Sequence, residues 1–212
     1  MTTAAAEPRW PTIRVAIAYH SVLGHVARLA RAVADGVSEV PDSVVDPVAL
    51  DSLTPASWET LDAADAVVFG CPTYMGGPSA VFKVFAEESL RVWLDDLRWR
   101  HKVAAGFTHS QALSGDKLST LQYFTILAAQ HGMLWVTLDL YPAIAGTTGV
   151  LNRLGAWLGV MSQSDRDVPL DVAPPAGDLE TARHLGRRVA QVARDLSVGR
   201  HVLHTATERT SS

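Results

Sequence analysis

The segment Ala18-Tyr-His-Ser-Val-Leu-Gly-His-Val-Ala27 has residue types suited to binding an anion. It joins an apolar run to an amphipathic one, which predicts a turn between a strand and the N-terminus of a helix. Unpaired N–H groups and the helix dipole attract an anion there, Ser21 adds a hydroxyl, and Gly24 lets the backbone come close. The segment has no lysine or arginine, and neither common phosphate fingerprint occurs in it. These features predict a site for a single phosphate monoester.

Two further polar segments follow predicted strands. Pro72-Thr-Tyr-Met-Gly-Gly77 contains a tyrosine and two glycines, which suit the edge and face of a flat ring. Thr108-His-Ser-Gln-Ala-Leu-Ser-Gly-Asp116 is polar and opens another helix. In open α/β sheets, ligands bind beyond the carboxyl ends of the strands, so we expect the three segments to meet there.

The elements that must position these segments alternate along the chain. Apolar runs predict strands at 13–19, 43–45, 66–71, 102–108 and 133–137. Between and after them, apolar residues at helical spacing predict helices, one starting at Ser79, one capped by Ser114 and ended by Gly132, and a last one capped by Asp178. This alternation predicts a doubly wound, five-stranded parallel sheet in the order 2-1-3-4-5, with helices on both faces. Residues 138–177 do not fit the alternation and predict an extended excursion with a short helix near 151–158.

Length, net charge and the cysteine count limit which classes of protein this chain can belong to. With 212 residues, 48% of them hydrophobic, the chain is long enough for one domain, predicted at 12–198 between a flexible N-terminus at 1–11 and a flexible tail at 199–212. The net charge of −4 has no basic stripe, so no nucleic-acid partner is expected. One cysteine suits a reducing compartment, and no signal peptide or membrane span is recognisable, so we expect a cytoplasmic protein. The histidines have no further ligands at the spacing of a metal site, so the sequence predicts no metal.

Tyr19-His-Ser-Val-Leu-Gly-His-Val-Ala27, Ala64-Asp-Ala-Val-Val-Phe-Gly-Cys-Pro-Thr-Tyr74 and His131-Gly-Met133 occur in an order and spacing that resemble a known family. The chain is similar to flavodoxin-fold FMN proteins, and especially to the NAD(P)H:quinone oxidoreductases of the tryptophan-repressor-binding-protein type. The resemblance covers roughly residues 13–137 and the last helix. It implies a flavodoxin-like fold, bound FMN, and NADH or NADPH as hydride donor.

The resemblance also implies roles for the three segments. The first would hold the FMN phosphate with Ser21, Val22, Leu23, Gly24, His25 and Val26. The second would border the isoalloxazine with Pro72, Thr73, Tyr74, Met75 and Gly76. The third would cover its pyrimidine side with Thr108, His109, Ser110, Gln111, Ala112, Gly115 and Asp116. For Ser21 and Gly24 a simple cap and turn is the alternative, and for His25 the residues leave open whether side chain or backbone contacts phosphate.

The sequence leaves two possible roles for His131. It precedes a glycine at a predicted helix end, where a histidine can serve as a cation near the C-terminus. The resemblance instead places it beside the flavin as the candidate catalytic residue, in a substrate pocket shared with Tyr74 and Trp93. Trp93 can equally be a packing residue.

The resulting functional hypothesis is an FMN-dependent oxidoreductase that passes reducing equivalents from NAD(P)H to a quinone or similar small-molecule acceptor by a ping-pong mechanism. The alternatives are a flavin reductase that releases reduced FMN to a partner, and an FMN-binding electron carrier or regulatory module without turnover. The resemblance further implies a homodimer or homotetramer.

Overall fold

The structure, a computed structural model, describes residues 11–142 and 151–210. The strands are β1 (Ile13–Tyr19), β2 (Ser43–Ala49), β3 (Ala66–Tyr74), β4 (Gly77–Pro78), β5 (Val103–Ser110), β6 (Leu134–Trp135) and β7 (Val160–Gln163). The helices are α1 (His25–Ser38), α2 (Pro55–Ala63), α3 (Ala80–Glu88), α4 (Leu90–Leu94), α5 (Lys117–Gln130) and α6 (Ala176–Thr210), and a single 3-10 turn covers Leu50–Ser52.

Parallel strands form the sheet in the order β2-β1-β3-β5-β6, which confirms the predicted topology. β1 pairs with β2 and β3, and β5 pairs with β3, all in parallel register. β4 folds back on β3 as an antiparallel hairpin. β7 pairs in parallel with the C-terminal half of β5, next to the half that β6 occupies.

The central strands are buried on both faces, as their continuous apolar runs predict. From β1, Ile13, Val15 and Ile17 enter a core layer shared with α1 and α6. Ala16 and Ala18 point to the opposite layer, which α2, α3 and α5 cover. One set of alternating side chains thus fixes helices on each face, and the turn after β1 has to run to the start of α1.

The fifth sheet position differs from the prediction of one strand at 133–137. β6 ends at Trp135, and its indole N–H donates to the Leu158 carbonyl 2.9 Å away. The chain then leaves the sheet and returns as β7, inside the predicted excursion. A Cβ on Gly159 would lie 2.2 Å from the Gly106 carbonyl oxygen, so the return depends on a glycine at this close approach.

The short helix predicted at 151–158 is wrong for the residues the structure describes there. Positions 151–154 form turns, because Asn152 (φ 49°) and Gly155 (φ 68°) have left-handed backbone conformations that interrupt a helix. The Asn152 amide donates to the carbonyls of Leu140 and Ala156 at 3.0 and 2.9 Å. The buried Asn152 side chain, rather than a helix, therefore holds this part of the excursion in place. Positions 143–150 lie outside the described residues.

Three predicted helix ends also move. Ser114 does not cap α5, which begins at Lys117 after the left-handed Asp116 (φ 52°). Asp178 lies in the first turn of α6 rather than before it. The C-terminal segment predicted as a flexible tail from 199 continues α6 to Thr210, in line with the absence of proline there. The predicted N-terminal segment 1–11 lies almost wholly outside the described residues.

Helices α1 and α6 approach closely at two glycines. A Cβ on Gly36 would lie 1.9 Å from the carbonyl oxygen of Arg183, and a Cβ on Gly186 would lie 2.0 Å from that of Val33. Both obstacles are backbone atoms, so relief requires movement of a whole helix. The position of α1, and of the turn before it, therefore depends on these two contacts.

We expect Gly36→Ala and Gly186→Ala each to lower the free energy of unfolding by about 1–3 kcal/mol, the usual cost of overpacking. Gly199→Ala is the matched control, because Gly199 is exposed in α6 with no atom within 4 Å of an added Cβ. That change should be neutral or stabilise by up to about 1 kcal/mol through helix propensity. Urea unfolding measures all three. Equal effects at the three positions would contradict the close packing of α1 on α6.

Candidate functional site

A cavity of about 660 Å³ lies at the carboxyl edge of the sheet, where the three polar segments converge. Its lining residues come from the first segment, the second segment, the third segment and the loop after β7. They are Ser21, Val22, Leu23, His25, Val26, Pro72, Thr73, Tyr74, Met75, His109, Ser110, Gln111, Ala112, Gly115, Ser164 and Arg166. The expected meeting of the segments is therefore observed.

The first segment is shaped for a close approach to the N-terminus of α1. Gly24 has φ 89°, a conformation that L side chains rarely adopt, and an added Cβ would lie 2.6 Å from Leu170 Cδ1. The N-cap position of α1 is Gly24, and Ser21 Oγ accepts the N–H of Ala27 in the first turn at 3.0 Å, which leaves the Ser21 hydroxyl hydrogen for a ligand. His25 and Val26 are the first two residues of α1, so their N–H groups have no acceptor within the helix, and both residues line the cavity.

The second segment is a tight hairpin between β3 and β4. Thr73 lies opposite Pro78 and Tyr74 opposite Gly77, so Met75 and Gly76 form a two-residue turn with φ 48° and 78°. Positive φ at both central residues is typical of a type I′ hairpin turn. The turn leaves the Tyr74 side chain 47% exposed at the cavity.

A chain of threonine hydroxyls holds this hairpin to the third segment. Thr108 Oγ1 donates to the Cys71 carbonyl at 2.7 Å, so its oxygen accepts the hydroxyl of Thr73 at 2.8 Å. Thr73 Oγ1 in turn lies 2.8 Å from Thr120 Oγ1 in α5. Thr108 is thus fully buried beneath the cavity and supports it, rather than lining it as predicted.

A buried lysine organises the third segment. Lys117 Nζ donates to Ser110 Oγ and to the carbonyls of Ala112 and Leu113, each at 2.9 Å. Burial lowers the pKa of Lys117 to about 8, with a smaller contribution from the positive charge of Arg153. A Cβ on Gly115 would meet Ser110 Oγ at 2.0 Å, which explains the glycine within this loop.

Two imidazoles stack at the wall of the cavity. The rings of His25 and His109 are 4.8 Å apart at an interplanar angle of 22°. Both side chains are buried, and His25 Nε2 has no hydrogen-bond partner among the described residues. His109 therefore acts as a platform that fixes the plane of the His25 ring at the start of α1.

A hydrogen-bond chain assigns the tautomer of His109. Ser162 Oγ donates to Asp178 Oδ2 at 2.8 Å, so it accepts from His109 Nδ1, 3.2 Å away. His109 Nε2 is then the acceptor for Ser164 Oγ at 3.3 Å. Burial, helped by the charges of His25 and Lys117, lowers the pKa of His109 to about 3, so the ring is neutral at pH 7.

The same carboxylate ties the excursion to α6. Asp178, 2% exposed, accepts two hydrogen bonds from Arg153, Nε to Oδ1 at 2.7 Å and Nη2 to Oδ2 at 2.9 Å, and one from the Gln163 N–H at 3.0 Å. A buried pair of this kind holds one geometry because loss of either partner leaves an uncompensated charge. It fixes β7, and with it the loop that carries Ser164 and Arg166.

The sequence predicts that residues 138–165 of the excursion frame the flavin ring, but it does not single out Ser164, and Arg166 lies just beyond that range. Both come from the excursion, which reaches the cavity only because β7 completes the sheet beside β5. In the structure the burial of Val160–Gln163 alternates along β7, but the sequence has two apolar residues followed by two polar ones, so it contains no period-two signal that predicts a strand. Four of the predicted cofactor contacts do not line the cavity: Thr108 is buried beneath it, and Gly24, Gly76 and Asp116 shape their loops.

His131 and Trp93 are not brought to this cavity in one copy of the chain. They line a separate cavity of about 540 Å³ with Ser89 and Leu90. α5 starts beside the carboxyl end of β5, and its 14 residues run about 21 Å toward the other edge of the sheet. His131 and Trp93 therefore do not lie beside the cavity of the same chain, contrary to the prediction.

His131 is a buried residue at the C-terminal cap of α5. Its Nε2 lies 2.8 Å from Ser89 Oγ, its ring centroid is 4.9 Å from that of Trp99, and its Nδ1 has no partner among the described residues. Burial lowers its pKa, so it is a neutral ring rather than a cation at the helix end.

Comparisons with known proteins match this arrangement. The family model described as NADPH-dependent FMN reductase matches residues 24–146. The flavodoxin FldP of Pseudomonas aeruginosa is 39% identical over 185 residues, covering 86% of this chain and 98% of that protein. An NAD(P)H dehydrogenase (quinone) of Archaeoglobus fulgidus is 32% identical, with coverage of 86% and 98%.

A solved structure supports the fold. A flavodoxin, WrbA-like protein from Agrobacterium tumefaciens is 42% identical and superposes with a TM-score of 0.69, covering 86% of this chain and 98% of that one. Across the described residues, none of the helices combines the length and apolar character that crossing a membrane requires.

The stack of His25 on His109 generates a prediction about acid stability. An unfolded imidazole has its pKa near 6.5, whereas His109 in the folded protein has a pKa of about 3. Between these values the unfolded chain binds a proton that the native state excludes, so the free energy of unfolding falls as pH falls. In His109→Gln, the slope between pH 6.5 and 5 should be smaller by up to about 1.4 kcal/mol per pH unit. Urea unfolding at several pH values measures it, and parallel slopes would contradict the buried neutral ring.

Proposed function

Because the chain belongs to the NADPH-dependent FMN reductase family, we propose that it is an FMN-dependent oxidoreductase. It moves reducing equivalents from NADH or NADPH to a quinone or a similar small-molecule acceptor. The observation that carries this proposal is the convergence of three loops and the N-terminus of α1 on one cavity at the carboxyl edge. We also propose a cytoplasmic location, supported by the single cysteine, which suits a reducing compartment.

The cavity fits FMN in size and chemistry. Its volume of about 660 Å³ lies within the range of small-molecule sites. The free N–H groups of His25 and Val26 and the Ser21 hydroxyl suit a terminal phosphate. Tyr74 and the backbone of the Met75–Gly76 turn suit the ring, and the segment held by Lys117 forms the third wall. His25 Nε2, buried without a partner among the described residues, is a further polar group at this wall.

FMN, when bound, supplies hydride acceptance and electron transfer, and the protein contributes binding and orientation. Ser21 and α1 fix the phosphate end, while Tyr74 remains 47% exposed and leaves access for a second molecule. We propose that the nucleotide leaves before the acceptor occupies the same place. The arrangement requires no strong catalytic acid, which agrees with the neutral state of His109.

The direct experiment is an anaerobic titration of the FMN-loaded protein with NADH and NADPH, followed by steady-state turnover with a quinone. Bleaching of the flavin absorption by either nucleotide and its recovery on adding quinone are expected. Absence of FMN binding, or bound FMN that neither nucleotide reduces, would contradict the proposal.

A second candidate function is that of an FMN-binding electron carrier, and it is supported by the 39% identity to a protein named flavodoxin FldP. In that role the bound FMN would accept electrons from a separate reductase protein rather than directly from NAD(P)H. The same titration separates the two: a carrier shows tight FMN with negligible direct reduction, and turnover appears only when a reductase is added.

The geometry of the first segment predicts a ranking of variants for FMN affinity. Gly24→Val should weaken FMN more than His25→Gln does, because valine is strained at φ 89° and its Cβ meets Leu170. His25→Gln retains the backbone N–H that suits the phosphate. We expect at least about a tenfold difference in dissociation constant, the equivalent of roughly one charge-assisted hydrogen bond. Fluorescence titration of the apoprotein measures both, and the reverse ranking would assign the phosphate to the His25 side chain.

We further propose a homodimer or homotetramer in which the exposed Trp93 of one copy reaches the ring of another, while the buried His131 lines the same cavity as Trp93. Within one copy they lie at the opposite edge of the sheet from the three loops. The surface around them is apolar, with Leu90, Trp93 and Leu94 exposed by 54%, 45% and 70%. A second copy is the partner that the family resemblance implies for this surface.

Leu94→Lys tests this assembly, because a charge in an apolar contact is desolvated without a partner. The parent protein should sediment as a dimer or tetramer at micromolar concentration, and Leu94→Lys should shift it toward the monomer and slow reoxidation by quinone. Val44→Lys on the edge strand β2 is the control, since Val44 is also exposed but lies elsewhere. A monomeric parent, or equal effects of both changes, would contradict the shared site.

A further inference from the structure

The phosphate end of the cavity lacks a cation in its own loop. The first segment has no lysine or arginine, and the side chain of Lys117 is directed into the third loop with three protein acceptors. Helix N–H groups and one hydroxyl then face the two negative charges of a phosphate monoester. A full positive charge from elsewhere in the chain would complete the site.

Arg166 is that charge. Among the described residues that line the cavity, it is the one that carries an arginine or lysine side chain. No ion pair or hydrogen bond to the guanidinium occurs within the described part of the chain, although Asp165 and Asp167 are its neighbours in sequence. Asp165 instead accepts from the Gln163 amide at 3.4 Å. None of the described residues therefore competes with a ligand for the five donors of the guanidinium.

The loop around Arg166 is anchored to the first segment on both sides. Before it, Ser164 hydrogen-bonds His109, whose ring stacks on His25 at the start of α1. After it, the Leu170 side chain packs where a Cβ of Gly24 would be, and Arg28 of α1 binds the Leu170 and Ala173 carbonyls. Both anchors contact the phosphate end of the cavity rather than the Tyr74 hairpin. Arg166 therefore projects from a loop fixed over the N-terminus of α1.

We infer that Arg166 binds the 5′-phosphate of FMN and makes the site selective for phosphorylated flavin. This inference rests on the proposed function, since it assigns a ligand to the same cavity. Guanidinium matches phosphate geometry with paired, charge-assisted hydrogen bonds, which a lysine reproduces only as a point charge. The excursion thus contributes to cofactor choice, and the lack of a basic residue in the first segment is compensated by a residue about 140 positions later in the chain.

The test is titration of the apoprotein with FMN and with riboflavin, followed by flavin fluorescence. Arg166→Ala should raise the dissociation constant of FMN about tenfold, the scale of one charge-assisted contact, and leave that of riboflavin within about twofold. Arg166→Lys should recover part of the loss. Arg31→Ala is the matched control, because Arg31 is exposed on α1 and does not line the cavity. It removes the same charge and should leave both constants within about twofold. Raising the salt concentration should shrink the FMN loss in Arg166→Ala.

Three outcomes overturn the inference. Equal losses for FMN and riboflavin would mean that Arg166 only maintains the loop. Unchanged dissociation constants for both flavins in Arg166→Ala would remove Arg166 from the site. A loss confined to NADPH relative to NADH in turnover would place the guanidinium at the nucleotide instead. If the parent apoprotein binds neither flavin, it is the proposed function that fails, which this titration detects before any variant is made.

Discussion

β3 forms parallel hydrogen-bonded pairs with β1 on one side and β5 on the other, with Phe69 opposite both Ala18 and Gly106. This shared register brings the carboxyl ends of the three strands to one edge, so the segments that follow them have to meet there. Burial on both faces maintains the register, because a slip would move each alternating side chain into the wrong layer. The cavity depends on this pairing more than on any single contact inside it.

Two short strands, β6 and β7, share the fifth position of the sheet, and the loop after β7 adds Ser164 and Arg166 to the cavity. β6 pairs with the start of β5 and β7 with its end, which frees the chain between them and returns it beside the cavity. The pair Asp178–Arg153 then joins β7 to the first turn of α6, and through Ser162 and His109 the connection reaches His25. The position of β7 thereby determines the position of the cavity wall next to the N-terminus of α1.

Sequence patterns predicted the sheet order and most of the cavity, because apolar runs and polar turns are local signals. They failed where a contact joins distant parts of the chain. The turn at Asn152 depends on carbonyls it meets only after folding, and Arg166 reaches the site only through the return of β7. His131 was placed by resemblance, and the length of α5 carries it to the other edge of the sheet in one copy.

The most direct measurement is a two-dimensional NMR titration of the ¹⁵N-labelled apoprotein with FMN, compared with riboflavin. If the phosphate lies at the start of α1, the amide signals of His25 and Val26 should shift strongly with FMN and little with riboflavin, while those around Tyr74 shift with both. Signals near Trp93 should respond only in an assembled oligomer. Equal shifts of His25 and Val26 with both flavins, or shifts confined to the edge that carries Trp93, would contradict a phosphate site at the N-terminus of α1.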